Sequence, residues 1–217
     1  MDYEPHQEKA DSVTAYYDAS DELHRLTRSK HAYLEYFVTM QYLEKVIPQN
    51  SSILDCCAGT GVYAFELAKK HRVVASDLSG KHVRQMREIQ KGKPVLEAVY
   101  QLDVCRMDCF EDESFDVVIV SNALHIVPQP EKALQEIKRV LKDDGVLIAP
   151  TFTHAGNSFS GMVRAFFMRM AGFPLHSRWT SEEYLRFLRQ NGWAVRKSAV
   201  LKASFPLTYA ECVKSEV

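Results

Sequence analysis

Residues 115–121, FDVVIVS, place Val117, Val118, Ile119 and Val120 in unbroken succession. A strand with one wet face alternates apolar and polar residues. A continuous apolar run suits a strand covered on both faces, the situation of a parallel sheet sandwiched by helices. The surrounding segments support that architecture. Apolar residues recur at helical spacing from His31 to Ile47, through Leu34, Phe37, Val38, Leu43, Val46 and Ile47, and Pro48 ends the helix. SSILDCC is then a short strand, Val62–Lys70 a helix, RVVAS a strand at 72–76, Lys81–Gln90 a helix and Leu96–Leu102 a weaker strand. After the 115–121 strand comes a helix at Glu131–Leu141, with Gly145 as its stop, and then the strand GVLIAP. Thr180 and Glu183 form the capping box of a further helix, which stops at Asn191-Gly192. Strands near Trp193–Leu201 and Leu207–Lys214 close the chain. Their connection around Pro206 is too short for a crossover, so the last strand runs antiparallel to its neighbour. This is an α/β, doubly wound sheet. The 217 residues suit one domain. Residues 1–47 are expected to form an N-terminal helical cover over the active site, and residues 151–179 an irregular insertion over it.

The polar residues at the strand ends carry the functional signal. Ile53–Tyr63, ILDCCAGTGVY, joins a strand to a helix, and Gly59 and Gly61 let the backbone approach a ligand with free amides. Asp55 offers a carboxylate just below that turn. The second strand ends in Ser76-Asp77-Leu78, an acid 22 residues after Asp55, placed to accept hydrogen bonds from both hydroxyls of a ribose. The third ends in Leu102-Asp103-Val104 and the fourth in Ser121-Asn122-Ala123-Leu124-His125. In an open α/β sheet ligands bind outside the carboxyl ends of the strands, where these residues gather.

The ordered series ILDCCAGTG, VVASDLS, QLDV, FEDESFDVVIVSNALHIV and EKALQEIKRVLKDDGVLIA resembles the class I S-adenosylmethionine-dependent methyltransferases. It is closest to the small-molecule group that includes the ubiquinone- and menaquinone-type enzymes. The resemblance covers roughly residues 30–150. It implies a Rossmann-like seven-stranded sheet of order 3-2-1-4-5-7-6 with strand 7 antiparallel, and S-adenosyl-L-methionine as cofactor. It implies that Asp55, Ala58, Gly59, Thr60 and Gly61 surround the methionine moiety, and that Asp77 binds the ribose. Leu78 would flank the adenine, His82 would lie near the adenosine, Asp103 and Val104 would meet the adenine, and Ser121 and Asn122 would line the site near the methyl group. Cys57 replaces the first glycine of the usual motif, where the turn is open to displacement. Tyr17, with Tyr16, is placed to close over the cofactor or to pack an N-terminal helix on the sheet.

Methyl transfer is an in-line displacement in which positioning dominates. A general base is needed only for an acceptor that must lose a proton. His125, just past strand 4, is the candidate base; His31, His154 and His176 read as surface or packing residues. The insertion interleaves Phe152, Phe159, Met162, Phe166 and Trp179 with Arg164, Arg169 and Arg178, a cover suited to a flat or greasy small-molecule acceptor bearing an acidic group. Two other functions remain open: a non-catalytic cofactor-binding protein of the same fold, and a nicotinamide-dependent dehydrogenase. The dehydrogenase fingerprint meets Ala64 where its third glycine belongs and finds no Tyr-x-x-x-Lys set. A net charge of -1 gives no whole-chain attraction to nucleic acid. Five cysteines without framework spacing, a polar start unlike a signal peptide and no long apolar run predict free thiols, no metal site, no membrane span and a cytoplasmic location.

Overall fold

The computed structural model describes residues 5–19, 30–93, 95–154, 176–201 and 206–215. Helix α1 spans Pro5–Ala19 and α2 spans Lys30–Val46. The parallel core then alternates β1 (Ser52–Cys56), α3 (Val62–Leu67), β2 (Arg72–Asp77), α4 (Gly80–Ile89) and β3 (Ala98–Gln101). It continues with β4 (Phe115–Val120), α5 (Pro130–Val140), β5 (Leu141–Ile148), β6 (Thr151–Phe152) and α6 (Ser181–Gln190), and ends with β7 (Trp193–Leu201) and β8 (Leu207–Lys214).

The strand order is β3-β2-β1-β4-β5-β8, with β7 bonded to β8. Cys212 pairs with Leu147 of β5 and with Val195 of β7, so these neighbours occupy opposite edges of β8. Both pairings are antiparallel. The expected order and the reversed last strand are therefore present. The eighth strand, β6, was not expected. It prolongs the line of β5 past Pro150 and pairs Thr151 and Phe152 with Thr208 and Leu207. Pro150 has no N–H to give the ladder, which breaks there.

Alternate residues of the central strands feed two cores. Leu54, Val74, Val118 and Val120 pack toward α5 and α6, where Leu134, Ile137, Tyr184 and Leu188 are buried. Ile53, Val73, Val117 and Ile119 pack toward α2, α3 and α4, against Leu43, Ala64, Val83 and Met86. Covering both faces is what the apolar run at 117–120 required.

Two local expectations need correction. Gly145 is not the stop of α5. The helix ends at Val140, the chain enters β5 at Leu141, and Gly145 lies inside that strand. A Cβ there would sit 2.7 Å from Leu141 Cδ1 and 3.0 Å from the Asp116 carbonyl oxygen, so close packing is the reason for the glycine. The second concerns α2, whose buried line is Thr39, Leu43 and Ile47, while Leu34 and Phe37 are exposed. Polar partners on β8 turn the helix this way: Thr39 hydrogen-bonds the Tyr209 hydroxyl, and the Tyr42 hydroxyl donates to Glu211 at 3.1 Å. The Thr180–Glu183 capping box of α6 is formed as expected. All five cysteines are free thiols. Among the described residues no helix is long and apolar enough to cross a membrane, and no group of three or more His, Cys, Asp or Glu side chains is arranged to hold a metal ion.

Candidate cofactor site

The parallel register of β1, β2 and β3 brings their carboxyl ends to one rim of the sheet. A cavity opens there. Of the fifteen residues expected at the site, fourteen line it: Tyr17, Asp55, Cys57, Ala58, Gly59, Thr60, Asp77, Leu78, His82, Asp103, Val104, Ser121, Asn122 and His125. The exception is Gly61. It is the N-cap of α3 with φ +79°, and a Cβ there would approach Met86 Sδ to 2.9 Å. Its lack of a side chain makes room for Met86 of α4.

The turn from β1 to α3 is held from below. The Ala58 amide donates to the Ser76 carbonyl at 2.9 Å, and the Gly61 amide to the Ala58 carbonyl at 2.9 Å. The Gly59 amide donates to Asp77 Oδ2 at 2.8 Å. The amides of Gly59 and Gly61 are thus already engaged, contrary to the expectation that they stand free for a ligand. Gly59 has φ +58°, and a Cβ there would meet nothing within 4 Å. Cys57 takes the same left-handed conformation, φ +56°, which strains a residue that carries a Cβ. That strain is worth about 1–2 kcal/mol, against roughly 0.5–1 kcal/mol of extra unfolded-chain entropy for glycine. Cys57→Gly is therefore expected to raise the melting temperature by about 1–3 °C, with Cys57→Ala close to wild type. A thermal melt in which the glycine variant is the less stable would show that thiol packing outweighs the strain.

Asp77 organises the second strand end. Its Oδ1 accepts from the Ser79 amide at 2.9 Å and from His82 Nδ1 at 3.2 Å, while Oδ2 holds Gly59. The Tyr17 ring stands edge-on to His82 with centroids 6.0 Å apart. Asp103 Oδ1 accepts from the Cys105 amide at 2.8 Å. Asp55 differs from both. It is fully buried, and its Oδ2 has no hydrogen-bond partner among the described residues. Burial, with a smaller contribution from the Asp77 charge, raises its carboxyl to about 7. A buried carboxylate oxygen without a partner, on a residue that lines a cavity, suits a cationic or hydrogen-donating group.

At the other side His125 is buried, with Nδ1 3.0 Å from Thr151 Oγ1 and its ring edge-on to Phe152. Burial, aided by His154, lowers its pKa to about 4, so the ring is neutral at neutral pH. Its carbonyl accepts from the amides of His176 and Ser177. His154 and His176 therefore belong to the packing around His125. Of the insertion residues, 155–175, including Arg164 and Arg169, lie outside the described residues. The Arg178 side chain donates to His154 Nε2 at 3.3 Å.

The lining that the sequence did not single out comes partly from α1: Ala10 and Val13 are buried and face the cavity with Tyr16 and Tyr17. Ala10, Val13 and Tyr17 stand at positions i, i+3 and i+7, and that spacing was the available signal. Tyr63, Ile126 and Phe152 complete the apolar side.

A doubly wound sheet with carboxylates at three successive strand ends around a left-handed turn is the arrangement of a Rossmann-like cofactor-binding domain. Residues 54–149 match the sequence family described as a methyltransferase domain. The ubiquinone/menaquinone biosynthesis C-methyltransferase of Hydrogenovibrio crunogenus is 32% identical over 153 residues, 66% of this chain and 56% of that one. The chain spans about half the length of the curated relatives it matches. A SAM-dependent methyltransferase from Aquifex aeolicus shares the fold with a TM-score of 0.65 at 20% identity, covering 92% of this chain and 98% of that one. The [4+2]-cyclase SpnF does so with a TM-score of 0.72 at 15% identity, covering 88% and 84%. Residues 54–149 thus carry a methyltransferase-type domain, and over that stretch the chain is similar to methyltransferases that use S-adenosylmethionine.

Proposed function

We propose that this chain binds S-adenosylmethionine in the cavity above β1–β4 and transfers its methyl group to a small, flat, largely apolar acceptor. The observation that carries the proposal is the convergence of Asp55, Asp77 and Asp103 on one cavity, with Asp55 Oδ2 buried and unpartnered. The donor set fits the cofactor: its ammonium group would answer Asp55, its ribose hydroxyls Asp77 and its adenine amine Asp103. Leu78 and Val104 would flank the ring. When bound, the cofactor supplies a methyl group already activated by a sulfonium charge. The protein's share of the work is then to align the acceptor and exclude water. Val13, Tyr16, Ile126 and Phe152 give the acceptor side an apolar surface suited to a ring of the quinone type named for the Hydrogenovibrio relative. His125, held by Thr151 and lowered to about 4 by burial, would act only as a weak base toward an acceptor that must lose a proton.

The fold alone does not specify methyl transfer, since a cyclase shares it. Binding is the first test. Calorimetry with S-adenosylhomocysteine is expected to give a dissociation constant on the order of 10 μM, with NAD giving no heat. No heat from S-adenosylhomocysteine with folded protein would sink the proposal, and heat from NAD alone would favour a dehydrogenase.

A further inference from the structure

Helix α1 covers the cavity, yet among the described elements α4 is the one it chiefly contacts. The contact is specific. Ser79, the N-cap of α4, receives the His82 amide on its hydroxyl oxygen and donates its hydroxyl proton to the Asp18 carboxylate. Lys81 Nζ donates to the Asp18 carbonyl at 2.8 Å. The two helix ends are complementary. The carboxylate of α1 lies at the amide-rich start of α4, and the ammonium of α4 lies at the carbonyl-rich end of α1. Tyr17 adds its ring against His82.

The same two α4 residues hold the proposed ribose-binding carboxylate. Ser79 gives its amide, and His82 its Nδ1, to Asp77 Oδ1. A chain of hydrogen bonds therefore runs from Asp18 through Ser79 to Asp77, and from Asp77 Oδ2 to the Gly59 amide of the turn. If α1 leaves, Ser79 loses the acceptor for its hydroxyl, and His82 loses the ring that covers it.

We propose that Asp18 is a positioning residue that couples the seating of α1 over the cavity to the orientation of the Asp77 carboxylate. The proposal rests on the reading of this cavity as the S-adenosylmethionine site. Asp18 touches neither the reacting atoms nor, by this account, the ligand. It fixes Ser79, and Ser79 fixes Asp77. A bound ligand that engages Asp77 strengthens the hold on α1, and a seated α1 slows the ligand's escape.

Surface plasmon resonance with S-adenosylhomocysteine over the immobilised full chain separates the two rate constants. Asp18→Ala is expected to raise the dissociation rate constant about tenfold or more, the loss of one charged hydrogen bond, and to change the association rate constant by less than about threefold. Asp18→Asn keeps an oxygen that accepts from Ser79 and is expected to stay within about threefold of wild type. Wild-type protein that binds no S-adenosylhomocysteine overturns the cofactor reading together with this proposal. Wild-type binding with an unchanged dissociation rate in Asp18→Ala overturns the coupling alone. So does failure of the asparagine variant to restore slow dissociation, or a faster rate accompanied by an equal loss of folded protein in a thermal melt.

Discussion

Asp77→Ala is expected to weaken S-adenosylhomocysteine binding by at least about 100-fold. Two ribose hydroxyls on a carboxylate are two charge-assisted hydrogen bonds of roughly 1.5–3 kcal/mol each, or about 3–6 kcal/mol together. The ligand-free geometry sharpens the expectation. A carboxylate accepts at about four positions, and Gly59, Ser79 and His82 already use three of them. One hydroxyl can take the open position. The other must displace a partner, and the Gly59 amide is the one that belongs to the turn beneath the cofactor. Ligand entry and a small adjustment of that turn are therefore expected together. The alanine variant also strands the Ser79 and Gly59 amides, a folding cost of about 1–3 kcal/mol for each amide that stays dry, so the fold is weakened beside the binding. Calorimetry beside a thermal melt distinguishes the two. An unchanged affinity with a lowered melting temperature would make Asp77 a turn-holding residue only.

The three carboxylates were legible because a parallel sheet turns sequence position into spatial position. Each apolar run stops at a polar residue, and every stop falls on the same rim, so sequence position alone brings Asp55, Asp77 and Asp103 together. What stayed illegible has physical causes. Gly59 and Gly61 look alike in sequence, but one opens toward the cavity and the other accommodates Met86; that difference depends on a helix folded from residues far along the chain. Gly145 follows a helix in sequence, as a stop residue should, yet it is fixed by crowding from Leu141. The buried line of α2 is set by Tyr209 and Glu211, more than 160 residues away. Helix α1 carries few apolar residues among many polar ones, so its periodicity is faint, and its attachment through Asp18 to the cap of α4 is a tertiary hydrogen bond that no local pattern announces.

Asp55→Asn is expected to stabilise the ligand-free protein at alkaline pH while weakening ligand binding. The wild-type carboxyl is buried, with one oxygen unpartnered, and its pKa stands at about 7 against an ordinary value of 3.8. An acid whose folded value lies above its unfolded value holds its proton more tightly in the folded state. It therefore adds nothing unfavourable below about pH 4. Stability drains as pH rises from there through about 7, and the full penalty is present above. The gap corresponds to roughly 4 kcal/mol as an upper figure. Asparagine has the same shape and no proton to lose. The difference in melting temperature between variant and wild type should be near zero at and below about pH 4, be a few degrees by about pH 5 and grow to as much as about 10 °C at pH 8. S-adenosylhomocysteine should narrow it, because an ammonium beside Oδ2 offsets the buried charge in the wild type and has no charge to meet in the variant. The variant's affinity is expected to fall about tenfold or more, the value of one charged hydrogen bond. A melting difference that is flat from pH 5 to pH 8 would mean that Asp55 is ionised and satisfied throughout, through a partner such as a buried water. A residue that destabilises the empty fold and strengthens the filled one is kept for the ligand rather than for the fold.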